Sequence, residues 1–299
     1  MYLTCSLLIL SCDQTDSPQV RDERITDAEL STARIKKSSQ DSYVFGFDLR
    51  SSPQEDARQY LPFLNYLEKK TGHRFELHFT SSDGDIVDDL GKGIVHFAAV
   101  GATSTILAKK KYGVRPVVLG VNKKGLAKYR SYFITQLNSE IDSISKLRGK
   151  KVAFGSITST QGHLIPRIIL EDHNIKLEDL ESYSYQGSHS KCADEVVSGR
   201  ADACGLQDTM AESLAADKLI KILHKSRYYP SSGIAASTTI PDSVIEKVKK
   251  ALLDFKPNGR DADELYDWDK SEMPNGFVSA SMTDYLELDE WLNKLNIMK

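Results

Sequence analysis

Short apolar runs alternate along this chain with longer stretches in which apolar residues recur every third or fourth position. Tyr43 to Leu49 alternates and is rich in aromatics, as a half-buried strand does. Ser52-Pro53-Gln54-Glu55 then supplies a hydroxyl, a proline and an acid in the order that favours a helix start. Tyr60, Phe63, Leu64 and Leu67 share one face of that helix, and Lys69, Lys70 and Gly72 close it. Phe75 to Phe79 predicts a second strand, Asp85 to Leu90 a short helix broken by Gly91 and Gly93, and Ile94 to Val100 a third strand. A helix over Thr105 to Lys111 and strands over Val114 to Val121 and Tyr129 to Leu137 follow.

The same alternation resumes after Ser139. Val152 to Phe154 reads as a buried strand, ended by Gly155. Four hydroxyl residues come next, Ser156, Thr158, Ser159 and Thr160, and then Leu164, Ile165, Ile168 and Ile169 at helical spacing. Strand, polar turn and helix in this order place capping hydroxyls and free backbone N–H groups at the positive end of a helix dipole. Such a turn suits a tetrahedral oxyanion, and it also suits an ordinary capped helix. Further on, Leu177 to Tyr185 leads to Gly187-Ser188-His189, and a helix spans Cys192 to Val197. Strands are expected at Ala201 to Gly205 and Leu219 to Leu223, with Leu206-Gln207-Asp208 a loop, and a last helix runs from Pro241 to Phe255. Strands alternating with helices argue for an α/β fold with mainly parallel sheets.

Composition narrows the possibilities. A chain of 299 residues allows one large or two medium domains, and 40% hydrophobic residues suffice for real cores. A formal net charge of −3 gives no sign of a nucleic-acid binder. No apolar run is long enough for a membrane-spanning helix. Leu3 to Leu10 followed by Ser11-Cys12 resembles a bacterial lipoprotein signal, with Cys12 as the lipidated residue. Asp13 to Ser42 is polar and lacks periodicity, as a tether would be. Cys192 and Cys204 could pair in an oxidising compartment, with two buried free thiols the first expectation and the pairing left open, and no zinc-type spacing occurs. Ser159, His189 and Asp208 are the residue types of a hydrolase triad, but there is no G-x-S-x-G elbow, G-x-G-x-x-G or P-loop, so catalysis is not expected.

Several segments, in order, resemble the periplasmic phosphate/phosphite/phosphonate-binding proteins that feed ABC transporters. They include Leu61 to Gly72, the strand carrying Tyr129, Ser131 and Ile134, the lead-in Ile141 to Phe154, the turn Ser159-Thr160-Gln161-Gly162, the loop Gly187-Ser188-His189, and the closing Gly276-Phe277 and Asp284-Tyr285. Gln161 stands where that family has a second serine. The resemblance implies a two-lobed, type II periplasmic-binding-protein-like fold. Residues 43–133 with 235–299 would form one lobe and 134–234 the other, after a signal at 1–12 and a tether at 13–42. It implies anion contacts from Ser159, Thr160 and His189, with Gln161 beside them in the turn, Thr103 and Ser104 as further donors, and Asp83 and Asp208 as carboxylates able to take a cationic group of the ligand. It further implies no cofactor, no metal and no enzymatic activity. The expected partners are a small anionic ligand, an ABC permease with its ATPase subunits and, through Cys12 alone, a membrane. The protein would be a periplasmic, lipid-anchored monomer. Two alternatives stay open: sensing on behalf of a membrane kinase or receptor, and binding of a ligand without phosphorus.

Overall fold

The computed structural model describes residues 42–48, 52–80 and 84–297. The segments expected at 1–12 and 13–42, apart from Ser42, lie outside these residues, as do Cys12 and Asp83. One sheet is built from β1 (Ser42–Phe47), β2 (Arg74–Leu77), β3 (Phe97–Val100), β4 (Arg115–Gly120), β12 (Gly233–Ala236) and β13 (Phe277–Ser279), in the order β13-β4-β12-β3-β1-β2. The other uses β6 (Ser131–Gln136), β7 (Lys151–Phe154), β8 (Ser182–Tyr185), β9 (Ala203–Gln207) and β10 (Ile220–Lys225), in the order β10-β6-β9-β7-β8. A two-stranded ribbon of β5 (Lys128–Tyr129) and β11 (Tyr229–Pro230) lies between them in the chain.

Helices connect the strands by one plan, used twice. α1 (Pro53–Thr71), α2 (Ile86–Gly91) and α3 (Ala102–Tyr112) join successive strands of the first sheet. α4 (Ile165–Asp172), α5 (His189–Val197) and α6 (Asp208–Ala216) do so in the second. α7 (Asp242–Asp254) and α8 (Leu286–Lys294) follow. The α/β class is as expected, but the sheets are mixed rather than mainly parallel. β1 runs parallel to β2 and β3, and β7 parallel to β8 and β9, whereas β12 is antiparallel to β3 and β4, and β6 antiparallel to β9 and β10. The reason is the crossing. β6 and β12 are the strands that enter each sheet straight from the ribbon, so they come in against the direction set by the βαβ units.

The crossings also shift the lobe boundaries. The changeover expected at 133/134 falls inside β6, which belongs wholly to the second sheet, and the chain passes over at Arg130 instead. α8, expected with the first lobe, ties to both. Asp289 pairs with Lys110 of α3, and Lys294 lies 3.5 Å from Glu171 of α4. Its Leu288 and Leu292 share one apolar cluster with Ile106 of α3 and Ile165 of α4.

Local signals explain most elements. The Ser52 hydroxyl accepts from the Glu55 N–H at 3.3 Å to start α1, and Gly72, at φ 68°, ends it. The buried face of α1 meets an aromatic cluster, where Phe63 stacks on Trp268 with ring centres 4.8 Å apart. Burying each such ring contributes about 1.5–3 kcal/mol. The two cysteines are not free thiols. α5 packs on β9 so closely that Cys192 and Cys204, with Cα atoms 6.0 Å apart, form a disulfide.

Candidate functional site

The carboxyl ends of β1, β3, β7 and β8 open into one cleft between the two sheets. In doubly wound sheets this is where loops are free to meet a ligand. The cleft encloses about 390 Å³ of atom-free space, part of it open to solvent. Three helices begin on its wall. Gly101 precedes α3, Ser188 precedes α5, and Ser159 precedes a π-helical turn, Thr160–Leu164, that runs on into α4. All three capping residues line the cleft. None of these helices has an acidic residue in its first turn, whereas α1, α2, α6, α7 and α8 all do. Each helix start carries unsatisfied N–H groups and about half a positive charge. The cleft thus gathers three positive dipole ends, and neither lysine nor arginine lines it.

Ser159 and His189 both line the cleft. The Ser159 hydroxyl accepts from the Gly162 N–H at 2.9 Å and faces the cleft. His189 opens α5 and is 7% exposed. Gly162 is required between them. A Cβ there would lie 2.9 Å from the Ser159 hydroxyl and 3.1 Å from a His189 ring carbon.

Thr160 and Gln161 line the cleft as well, while their side chains bond to other parts of the fold. The Thr160 hydroxyl accepts from the Thr103 N–H at 2.8 Å and donates to the Thr103 hydroxyl at 3.1 Å. This is a contact from one lobe to the other, buried on both sides. Gln161 points towards the ribbon. Its side-chain N–H group donates to the Arg130 carbonyl at 2.7 Å and to the Asp208 carboxylate at 3.2 Å, while Ser131 donates to its backbone carbonyl at 2.6 Å. Thr103 and Ser104 do not line the cleft, and Ser104 instead donates to Asp48 at 3.2 Å.

Asp208, expected in a loop, also lies off the cleft, as the first residue of α6. Its carboxylate accepts from the backbone of Arg130 at 3.1 Å and of Thr209 at 2.9 Å. Burial pushes it up to about 6, against those hydrogen bonds and with help from the nearby Glu272 and Glu212 charges. His163, in the first turn after Ser159, is a core residue. Its Nδ1 bonds the Ile157 carbonyl at 2.7 Å and its Nε2 meets the Tyr185 hydroxyl at 3.1 Å. Burial lowers it to about 4, so it is the neutral tautomer that donates from Nδ1.

Three lining residues escaped sequence reading. Asp48, at the end of β1, accepts from the Gly101 N–H at 3.0 Å and so already occupies part of the α3 terminus. Tyr129, in the ribbon, is 2% exposed, and its hydroxyl makes no hydrogen bond of normal geometry, although Thr160 and the Ala102 backbone are polar neighbours. Burial first, and then the Glu272 charge, keep its phenol protonated. Glu272 is 6% exposed and borders both this cleft and a second cavity beyond Tyr129. Tyr129 lies in the strand segment that resembles the binding-protein family, which gave a hint of it, and Ser232 and Ser156 had only their polarity. Nothing local marks Glu272.

Residues 45–285 match the family described as the periplasmic substrate-binding protein of phosphonate ABC transporters. Among curated proteins, the chain is 27% identical over 196 residues to a probable ABC transporter phosphite binding protein of Prochlorococcus marinus (strain MIT 9301), covering 62% of this chain and 60% of that protein. It is 24% identical over 221 residues to the phosphonates-binding periplasmic protein of Escherichia coli (strain K12), covering 71% and 65%. The matches thus span less than two thirds of these relatives. Among solved structures, a binding protein component of an ABC phosphonate transporter from Pseudomonas aeruginosa superposes with a TM-score of 0.76 at 19% identity, covering 86% of this chain and 87% of the other. A Prochlorococcus marinus protein in complex with methylphosphonate gives 0.76 at 17% identity, covering 86% and 99%. At such identities the superpositions establish the type II binding-protein fold alone.

Proposed function

The chain belongs to the periplasmic substrate-binding proteins of phosphonate ABC transporters, and from that premise we propose that its cleft captures phosphate, phosphite or a phosphonate and presents it to an ABC permease. The observation that carries the reading is the convergence of three helix N-termini, through Gly101, Ser159 and Ser188, on one cavity. Backbone N–H groups and hydroxyls surround a tetrahedral oxyanion with donors and leave no lysine or arginine to be stripped of water. Ser159, the N–H groups of its turn and His189 are the direct contacts. Thr160 binds the lobes together through Thr103, and Gln161 with Asp208 braces the turn against the ribbon. Asp48 and Glu272 shape the remaining wall.

In this reading the open cleft takes the anion on the second lobe, and closure brings the α3 terminus against it. A ligand that contacts both lobes shifts the population to the closed form, which the permease reads. Lipidation at Cys12 would keep the protein at the membrane, a point tested by its release in the Cys12→Ser variant.

The test of the central claim is thermal unfolding of residues 42–299 against phosphate, phosphite, methylphosphonate, aminoethylphosphonate and sulfate. A ligand at a hundred times its dissociation constant adds about 2.7 kcal/mol of stability. A selective shift with one phosphorus oxyanion is expected, and no shift with any of them would refute the reading.

A further inference from the structure

The polarity of the cleft is lopsided. The second lobe offers donors, from Ser156, Ser159, Ser188 and His189, while the first lobe and the ribbon add the carboxylates of Asp48 and Glu272 and the hydroxyl of Tyr129. Asp48 is engaged, since its oxygens accept from the Gly101 N–H and the Ser104 hydroxyl. Glu272 is buried and borders the same space. A fully ionised phosphoryl group set against a buried carboxylate suffers like-charge repulsion in a poorly screened site. One proton shared between the two removes the repulsion and supplies a charge-assisted hydrogen bond. Tyr129, beside Glu272, has a protonated hydroxyl that makes no hydrogen bond of normal geometry to its neighbours Thr160 and Ala102, so its proton can turn to another ligand oxygen.

Resting on the oxyanion reading, we infer that Glu272 and Tyr129 make the cleft selective for the singly protonated oxyanion. Glu272 accepts the P–O–H hydrogen and Tyr129 donates to a neighbouring oxygen. Above the second ionisation of the ligand, each complex then takes up one proton. That ionisation falls near neutral pH for phosphoryl groups, at about 6 for a phosphate monoester, so the effect lies in an accessible range. Other charges around Glu272 are Asp208 and Glu212 from α6, and Lys123, Lys124 and Arg130 along the second cavity. His189 faces the cleft as well, and its own titration would also weaken anion binding as pH rises. The two sources are separable, because a His189 midpoint is fixed whereas a ligand midpoint moves with the ligand.

Calorimetry with methylphosphonate and with phosphite, in two buffers of different ionisation enthalpy, from pH 5.5 to 9, tests this. The expected result is uptake of about one proton above the second pKa of each ligand, with the dissociation constant rising about tenfold per pH unit there and the break differing between the two ligands. Glu272→Gln, whose amide can donate to a dianion, should flatten the profile. A break at the same pH for both ligands, or binding with no proton uptake, would overturn the inference and leave the oxyanion reading standing. No binding of either probe at any pH would overturn both.

Discussion

Thr160→Val separates a latch from a ligand contact. The change keeps shape and removes one hydroxyl. In the structure that hydroxyl accepts from the Thr103 N–H at 2.8 Å and donates to the Thr103 hydroxyl at 3.1 Å, with Thr160 2% and Thr103 0% exposed. Closed lobes would therefore hold two unsatisfied polar groups, and a buried orphan costs about 1–3 kcal/mol. Open lobes expose the same groups to water and lose nothing. The closed form alone is penalised, so apparent affinity should fall by about 5- to 150-fold. Thr160→Ser, which keeps the hydroxyl, should bind within about threefold of the wild type, a margin of under 1 kcal/mol. Binding calorimetry on Thr160→Val, Thr103→Ala and the double variant gives the coupling directly. Residues in contact couple by about 0.5–3 kcal/mol. Wild-type affinity in Thr160→Val, or a coupling below about 0.5 kcal/mol, would refute the latch.

Two further expectations concern stability. Cys192 and Cys204 lie 12 residues apart, and closing a loop near that length removes about 3 kcal/mol of chain entropy from the unfolded state. The Cys192→Ala/Cys204→Ala variant should lose about that much in urea unfolding, and a loss under about 1 kcal/mol would mean the bridge constrains little. Asp208, raised to about 6 by burial, holds its proton more tightly when folded, so its contribution is full below about pH 4 and lost as pH rises through 6. His163, lowered to about 4 by burial, contributes fully above about pH 6.5 and loses that as pH falls through 4. Each effect is worth up to about 3 kcal/mol, with opposite sign over the same window. Between pH 4 and 6.5 they should cancel. Relative to the wild type, His163→Gln should lose stability as pH rises and Asp208→Asn should gain it, and parallel profiles for all three proteins would show the assignments to be wrong.

What could be read in the sequence was whatever a few neighbouring residues decide. The strand, turn and helix from Lys151 to Asp172 were legible because the apolar strand, the stop at Gly155 and the capping Ser159 lie within a dozen positions of one another. The Ser188 cap before α5 is local too, and so is the link between Ser281 and Asp284 that precedes α8. Gln207 has no capping side-chain bond, so no local signal marks Asp208 as a helix start rather than the end of a loop. The cleft is decided elsewhere. Whether Thr160 meets a ligand or another lobe depends on Thr103, 57 residues earlier. Gln161 is drawn to the ribbon by Arg130 and Asp208.

Glu272 shows how far this goes. Its segment is pinned by aromatic packing, since Trp268 stacks on Phe63 and its ring N–H donates to the Met273 carbonyl at 3.0 Å. A helix near one end of the chain thus sets where a carboxylate near the other end stands. Residue type told that an oxyanion suits the Ser159 turn. Which protonation state of that anion suits it rests on Glu272 and Tyr129, whose nearness no spacing in the sequence encodes. For a cleft made by two lobes the donors of each lobe are local and legible, whereas selectivity resides in pairs that only the closed arrangement brings together.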